Sequence, residues 1–285
     1  MHRFYIAPEN WNPNSPGLTG SEAHHARGVL RMKPGDKAVL FNGRGRELTA
    51  EVVDVGRSEI QFRRLHETES PPLRCRITLG QAIPKGKNMD LIVQKAVELG
   101  AAGIAPLISE RTIVDLDPDE ARQKQAKWQQ VAIEAAKQCG QNWLPRVESP
   151  RKLKDFFSTN SSVAAVYDRR SAMESRPLRL IASLQSDAQP LKKILADYLT
   201  ESPSHMAGGR RAVGAFDEGT IRPPNDARPA DVLILIGPEG DFTPAELALA
   251  KTHGCRPISL GPIILRVETA AIYCLSVLSY ELLSS

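Results

Sequence analysis

The sequence predicts an α/β protein in two parts: a small β-rich domain, then a larger domain whose parallel sheet is wound by helices on both faces. Three observations carry this. Up to about residue 73 the apolar residues fall in short β-branched or aromatic runs separated by turn signals. Ser70-Pro71-Pro72 then stops both helix and ladder, and reads as a linker between residues 1–72 and 73–285. Beyond it, strands suited to burial on both faces alternate with helical periods, the order of a doubly wound sheet.

In the first part, Arg3–Ile6, Lys37–Phe41, Leu48–Val55 and Glu59–Leu65 are the expected strands. Asn42-Gly43 lies between two of them and readily takes the positive φ that a tight reversal needs, so a hairpin is expected there. One helix, about Ser21–Met32, interrupts the strands. Thr19 or Ser21 is its expected cap, and Pro34-Gly35 closes it.

In the second part Ile77–Ile83 reads as a strand. Met89, Ile92, Val93, Ala96, Val97 and Leu99 then recur at helical spacing over Asn88–Leu99. A strand over Ile104–Ile108 and a long helix over Asp119–Cys139 follow. Val163–Tyr167 and Val232–Ile236 are short β-branched runs, Pro244–His253 a helix, Pro257–Leu260 a strand and Glu268–Leu283 the closing helix. Residues 170–230 are rich in Ser, Pro, Ala and Arg, with one helical pattern near Leu191–Leu199. They read as an insertion with a solvent-facing loop.

Bulk composition narrows the function classes. The 285 residues carry 37 Lys and Arg against 33 Asp and Glu, a net charge of +4 that permits a nucleic-acid partner without requiring one. No apolar run approaches the roughly 18–20 residues of a membrane span, and Met1–Pro8 lacks the apolar stretch of a secretory signal. Cys75, Cys139, Cys255 and Cys274 have no CxxC spacing, so reduced thiols in the cytoplasm are expected and no metal site. His24 and His25 read as packing or capping residues rather than ligands.

Two segments carry the chemistry. Val232–Ile236 runs into Gly237-Pro238-Glu239-Gly240-Asp241-Phe242-Thr243-Pro244-Ala245-Glu246, a strand, a glycine-rich turn and a helix start. Thr243, Pro244 and Glu246 form a capping box with proline in the first helical turn. Such a turn is either an ordinary strand-to-helix connection or a ligand loop at the carboxyl end of a parallel strand, where open α/β sheets bind small molecules. It is neither a P-loop nor a GxGxxG turn. Ile258-Ser259-Leu260-Gly261-Pro262 repeats the arrangement and leads through Arg266-Val267-Glu268-Thr269 into the closing helix. Arg266 and Glu268 either face the crevice between the turns or are a surface cation and a helix-capping carboxylate.

With these turns, the chain resembles the RsmE-like branch of the knotted SPOUT methyltransferases, which methylate N3 of a uridine in 16S ribosomal RNA. The resemblance runs over nearly the whole chain. It rests on His24-His25-Ala26-Arg27-Gly28-Val29-Leu30-Arg31 with Gly35-Asp36, on Lys85-Gly86-Lys87-Asn88-Met89-Asp90, Lys95 and Glu98-Leu99-Gly100. Ser109-Glu110-Arg111-Thr112, Glu134–Gly140 and Pro145 continue it in order.

The resemblance implies a PUA-like RNA-binding barrel ahead of a trefoil-knotted domain, an exception to the rule that chains do not thread loops. It implies S-adenosylmethionine bent in the knot. Main-chain groups of Ile236, Gly237, Pro238, Glu239 and Gly240, and of Ser259, Leu260, Gly261, Ile264 and Leu265, with Thr269, would hold it. It implies a homodimer with the closing helix near the partner, and uridine 1498 of the small subunit as target. Glu268 is then the candidate proton acceptor and Arg266 the candidate cation for the uridylate. Glu239 either complements the sulfonium or buttresses the turn. Arg3, Arg27, Arg31, Lys85, Lys87 and Arg111 are the expected RNA contacts, which anchor through phosphates without specifying sequence.

The chain departs from the family pattern at four positions. Asp241 stands where glycine is usual, Ile263 replaces an arginine, Val267 a threonine and Gln141 an arginine. Two other readings remain open: a knotted enzyme for another site, such as a transfer RNA ribose, and a ribosome-binding protein without activity. Intact Gly237, Glu239, Gly240, Gly261, Arg266 and Glu268 speak against the last.

Overall fold

The computed structural model describes residues 1–112, 116–160, 177–200 and 229–284. Its first sheet has five strands, β1 (His2–Tyr5), β2 (Gly17–Thr19), β3 (Lys37–Phe41), β4 (Arg46–Val55) and β5 (Glu59–Glu69), in the order β1-β3-β4-β5-β2. Only β1 and β3 pair in parallel. The expected hairpin joins β3 to β4: Asn42 Oδ1 accepts from the amides of Arg44 and Arg46 at 2.8 and 3.1 Å. Phe4, Leu18, Leu40, Leu48, Ile60 and Phe62 fill the concave side.

The helix expected over Ser21–Met32 is shorter. Helix α1 (Gly20–His24) passes into a wide turn over His25–Val29, and Arg31 at φ 54° ends it. Thr19 occupies the cap position but makes no side-chain bond there.

Among the described residues the second sheet has eight strands. Those on its path are β6 (Arg76–Ala82), β7 (Gly103–Ile108), β8 (Arg146–Val147), β10 (Leu178–Ala182), β11 (Gln189–Pro190), β12 (Asp231–Ile236) and β13 (Arg256–Ser259), ordered β11-β13-β10-β12-β6-β7-β8. The eighth, β9 (Arg151–Lys152), pairs with β7. Every ladder in this sheet is parallel.

Helices α2 (Asn88–Glu98), α3 (Pro118–Cys139) and α7 (Val267–Leu283) meet one face through Ile77, Leu79, Ile92, Val93, Leu275 and Leu278. Helices α4 (Leu153–Asn160) and α6 (Pro244–Thr252) cover the other through Phe156, Phe157, Leu235 and Leu247. Helix α3 starts at Asp117, whose carboxylate accepts from the amides of Asp119 and Glu120, and ends at Gly140 with φ 80°. That start and stop follow from cap chemistry at one end and a left-handed residue at the other.

The insertion expected at 170–230 needs correction over the part described. Leu178–Ala182 is a central strand hydrogen-bonded to β12 and β13, and α5 (Leu191–Thr200) packs near β13. The expected strand at Val163–Tyr167 lies outside the described residues, as do positions 201–228.

From β13 the chain returns past β10 to lay α7 against α2, β6 and β12. That order and packing match the parallel α/β domain that the resemblance implies. Among the described residues no helix is long and apolar enough to cross a membrane.

Candidate cofactor and RNA site

The carboxyl ends of β6, β10, β12 and β13 lie side by side, so the loops that follow them share one rim. After β12, Gly237 and Pro238 are buried while Glu239 and Gly240 are exposed. A Cβ on Gly237 would stand 3.1 Å from the amide nitrogen of Phe242, so any larger residue there would press the turn open by a few tenths of an ångström. The amide of Asp241 donates to Pro238 O at 3.0 Å, and Asp241 itself has φ 71°.

The capping box of α6 is present. Thr243 Oγ1 accepts from the amide of Glu246 at 3.3 Å, and Glu246 Oε2 accepts from the amide of Thr243 at 2.9 Å. Glu246 is only 6% exposed, and also accepts from Ser109 Oγ at 2.9 Å and the amide of Glu110 at 3.0 Å. One buried carboxylate thereby ties the loop after β7 to the turn after β12. Its three donors offset the cost of holding a charge out of water.

The second wall starts at Ser259, the last residue of β13. Ser259 Oγ accepts from the amide of Gly261 at 3.4 Å, and Gly261 has φ 120° with open space where a Cβ would stand. Ile263 and Ile264 are 72% and 76% exposed, which leaves apolar surface beside main-chain groups at the rim. Leu265 is half-buried against the core of the second sheet. Arg266 caps α7 with an exposed side chain that makes no capping bond, and Thr269 is exposed in the first turn.

The loop after β6 forms the third wall. The amide of Lys85 donates to Glu239 Oε1 at 3.2 Å, and Asn88 Nδ2 donates to Glu268 Oε2 at 3.3 Å. Glu239 therefore links the turn after β12 to the loop after β6, and Glu268 faces that same loop. Lys85 and Lys87 are exposed on it, and Arg111 reaches Gly240 O from the loop after β7.

The remaining expected RNA contacts lie on the first sheet's side. Arg27 is exposed and donates to the carbonyls of Gly56 and Arg57; Arg31 is exposed beside it. Arg3 does not belong with them. It pairs with Glu47 at 2.6 Å, donates to Asn142 at 2.7 Å and lies over the Phe41 ring at 4.9 Å, so its guanidinium is engaged inside the protein.

Sequence reasoning missed Ser109, Asn88 as the neighbour of Glu268, and Ser183 with Leu184, which meet Asp241. The capping box was the one available signal for a carboxylate at position 246, but its outward bonds are non-local.

The family model for an RNA methyltransferase domain matches residues 71–279, and the model for an RNA methyltransferase PUA domain matches 18–63. A Synechocystis protein named ribosomal RNA small subunit methyltransferase E is 30% identical over 277 residues, covering 96% of this chain and 76% of its own. Its Bacillus subtilis namesake is 28% identical over 93% of this chain and 89% of its own. Among solved structures, a Legionella pneumophila protein in complex with SAM superposes with a TM-score of 0.75 at 31% identity, covering 98% of this chain and 97% of that one. The small subunit methyltransferase E of Neisseria gonorrhoeae, bound to S-adenosyl methionine, superposes at 0.71 with 28% identity over 98% and 97%. With both parts of the chain matched in order, the chain belongs to the RsmE-type family of RNA methyltransferases.

Proposed function

We propose that this enzyme transfers a methyl group from S-adenosylmethionine to N3 of a uridine in 16S ribosomal RNA, at the position the family resemblance implies. It would act in the cytoplasm, on the small ribosomal subunit. The observation that carries the reading is that the loop after β6 bonds both sides of the rim, Glu239 of the turn after β12 through the Lys85 amide and Glu268 at the start of α7 through Asn88, with Arg266 at the cap of that same helix.

The residues present fit the cofactor. Gly237, Gly240 and Gly261 keep Cβ atoms away from the main chain at both turns, and Ile263 and Ile264 supply an apolar surface for a base. The main chain of Ile236–Gly240 and Ser259–Leu265, with Thr269, is the proposed holder. When bound there, S-adenosylmethionine would supply an electrophilic methyl to N3, its sulfur keeping the electron pair of the broken sulfur–carbon bond.

The protein's part is to make N3 a nucleophile and to aim it. An imide N–H has no free lone pair until its proton leaves, so the site needs an acceptor and a positive group for the resulting anion. Glu268 takes the proton in this reading, with Asn88 fixing its carboxylate, and Arg266 at the start of α7 faces the anion. The base must be unpaired to present N3 at all. Residues 1–72 serve as the RNA-anchoring part and 73–285 as the transferase, with phosphate contacts from Arg27, Arg31, Lys85, Lys87 and Arg111. Leu91 on α2 with Tyr273 and Tyr280 on α7 form exposed apolar surface on two helices that pack together, which supports a homodimer through that face.

The test is incubation with labelled S-adenosylmethionine and either small subunits from a strain lacking the endogenous enzyme or bare transfer RNA, followed by nucleoside mapping. Labelled 3-methyluridine on the subunits is expected. A 2′-O-methyl product, or no product on either RNA, overturns the reading.

A further inference from the structure

Asp241 does more than continue a turn. Its φ of 71° is a backbone conformation that side chains rarely adopt, shared among the described non-glycine residues only with Arg31. Strain of this kind persists where surrounding contacts over-determine it. Three contacts do so here: Oδ2 accepts from the amide of Leu184 at 2.9 Å and from Ser183 Oγ at 3.4 Å, and Oδ1 accepts from the amide of Phe242 at 2.8 Å.

Ser183 extends the chain of bonds. Its amide donates to Ile258 O at 3.0 Å, and its Oγ accepts from the amide of Gln185 at 3.1 Å. Ile258 lies in β13, one residue before Ser259, where the second turn begins. Strand β10 runs between β12 and β13, so its end is the spacer between the two turns. Asp241 bonds the first turn to that spacer, and Ser183 bonds the spacer to the second.

We propose that Asp241 is a positioning residue for the cofactor: through Leu184 and Ser183 it fixes the separation of the turns after β12 and β13, and so pre-organises the main-chain groups that would hold S-adenosylmethionine. The proposal rests on the methyltransferase reading above. Glycine at 241 tolerates the φ but has nothing with which to reach Leu184. The clamp is therefore a property of this chain's own residue, and its contribution appears as affinity gained by holding the site in its binding shape.

The test uses the full-length protein with Asp241→Gly, Asp241→Asn and Ser183→Ala. Calorimetric titration with S-adenosylhomocysteine is combined with steady-state kinetics on small subunits. Asp241→Gly is expected to weaken nucleoside binding and raise KM for S-adenosylmethionine by about tenfold, the scale of losing one good bond to a charged acceptor. In that variant kcat and the KM for the subunit stay within about twofold, and Tm holds or rises because strain is relieved. Asp241→Asn keeps an acceptor oxygen and the tolerance for positive φ, so it should recover most of the affinity. Ser183→Ala should fall between the two.

Wild-type affinity in Asp241→Gly overturns the proposal. So does a joint loss of Tm, kcat and both KM values, which marks a merely structural residue. Wild-type protein that binds S-adenosylhomocysteine but makes no 3-methyluridine sinks the target assignment while the Asp241 comparison still decides the clamp. Wild-type protein that does not bind the nucleoside sinks both.

Discussion

Arg3 in the first strand donates from Nη2 to Oδ1 of Asn142 at 2.7 Å, across 139 positions of the chain. Around this bond the hairpin of the first sheet is joined to residues 142–144. The amide of Gly45 donates to Asn142 O and that of Leu144 to Gly43 O, both at 3.0 Å, while Trp143 Nε1 donates to Ser70 O at 2.9 Å. A Cβ on Gly45 would stand 2.6 Å from Ser70 O, so only glycine lets the hairpin seat here. These bonds fix the first sheet against residues 142–144 of the second part.

Removing Arg3 should loosen this seam without removing a phosphate contact. Arg3→Ala leaves Glu47 and Asn142 without their donor, at a cost of about 2–3 kcal/mol and a Tm lower by roughly 5 °C. The slope of log affinity for RNA against log salt should stay at the wild-type value. Arg27→Ala or Lys85→Ala should instead leave Tm alone and flatten that slope by about 0.7–0.9. A flatter slope in Arg3→Ala would return Arg3 to the RNA contacts.

A second junction between the two parts is titratable. Lys137 on α3 pairs with Glu22 on α1 at 3.1 Å and with Glu134 at 3.1 Å, and lies over the Phe4 ring. Burial pushes the Glu22 carboxyl above the usual carboxylate range, outweighing the lowering pull of Lys137; Glu134 adds to the rise and His25 opposes it. A raised folded pKa means that Glu22's contribution is fully present below its unfolded value and is lost as pH climbs through the folded one. Glu22→Gln mimics the protonated form at every pH. Wild-type Tm should thus match that of Glu22→Gln near about pH 4 and fall progressively below it toward neutrality. Melting curves in half-unit pH steps decide it; a wild-type Tm that climbs above the variant's as pH rises would mean the attraction of Lys137 dominates.

What the sequence made legible is what is encoded locally. The Asn42-Gly43 hairpin, the Thr243–Glu246 capping box and the two glycine turns depend on neighbours a few residues away, and each stands where its residues place it. Strand β10 was not legible, because Arg179 breaks its apolar run and Pro177 and Ser183 flank it like a loop. Its burial comes from lying between β12 and β13, which no local pattern records. The same limit governed the site. Nothing near Arg3 announces Asn142, and nothing near Glu268 announces Asn88, 180 positions earlier.

Glu246 offers a test of how the loops after β7 and β12 are coupled. Its carboxylate accepts from Ser109 Oγ and two backbone amides while almost fully buried. Glu246→Ala should cost about 3 kcal/mol in urea unfolding, since three donors lose their acceptor together. Ser109→Ala alone should cost about 1 kcal/mol, and the double variant less than the sum by about 0.5–1 kcal/mol. Additive losses would mean that the hydroxyl contributes nothing through Glu246.

The roles of Arg266 and Glu268 separate by two measurements on one pair of variants. Neither Glu268→Gln nor Arg266→Ala should change S-adenosylhomocysteine affinity, because the proposed cofactor contacts come from main-chain groups. Both should lower kcat, Glu268→Gln by about 10²–10⁴-fold, the range for loss of a positioned proton acceptor. Without that acceptor the imide proton must leave to solvent base, so the deficit of Glu268→Gln should narrow as pH rises. A deficit that stays flat with pH would remove Glu268 from proton transfer and leave it as a partner of Asn88. Lost nucleoside binding in a folded Arg266→Ala protein would instead place that guanidinium in the cofactor pocket, and the positive group facing the uridylate would have to come from Lys85, Lys87 or Arg111 on the adjoining loops.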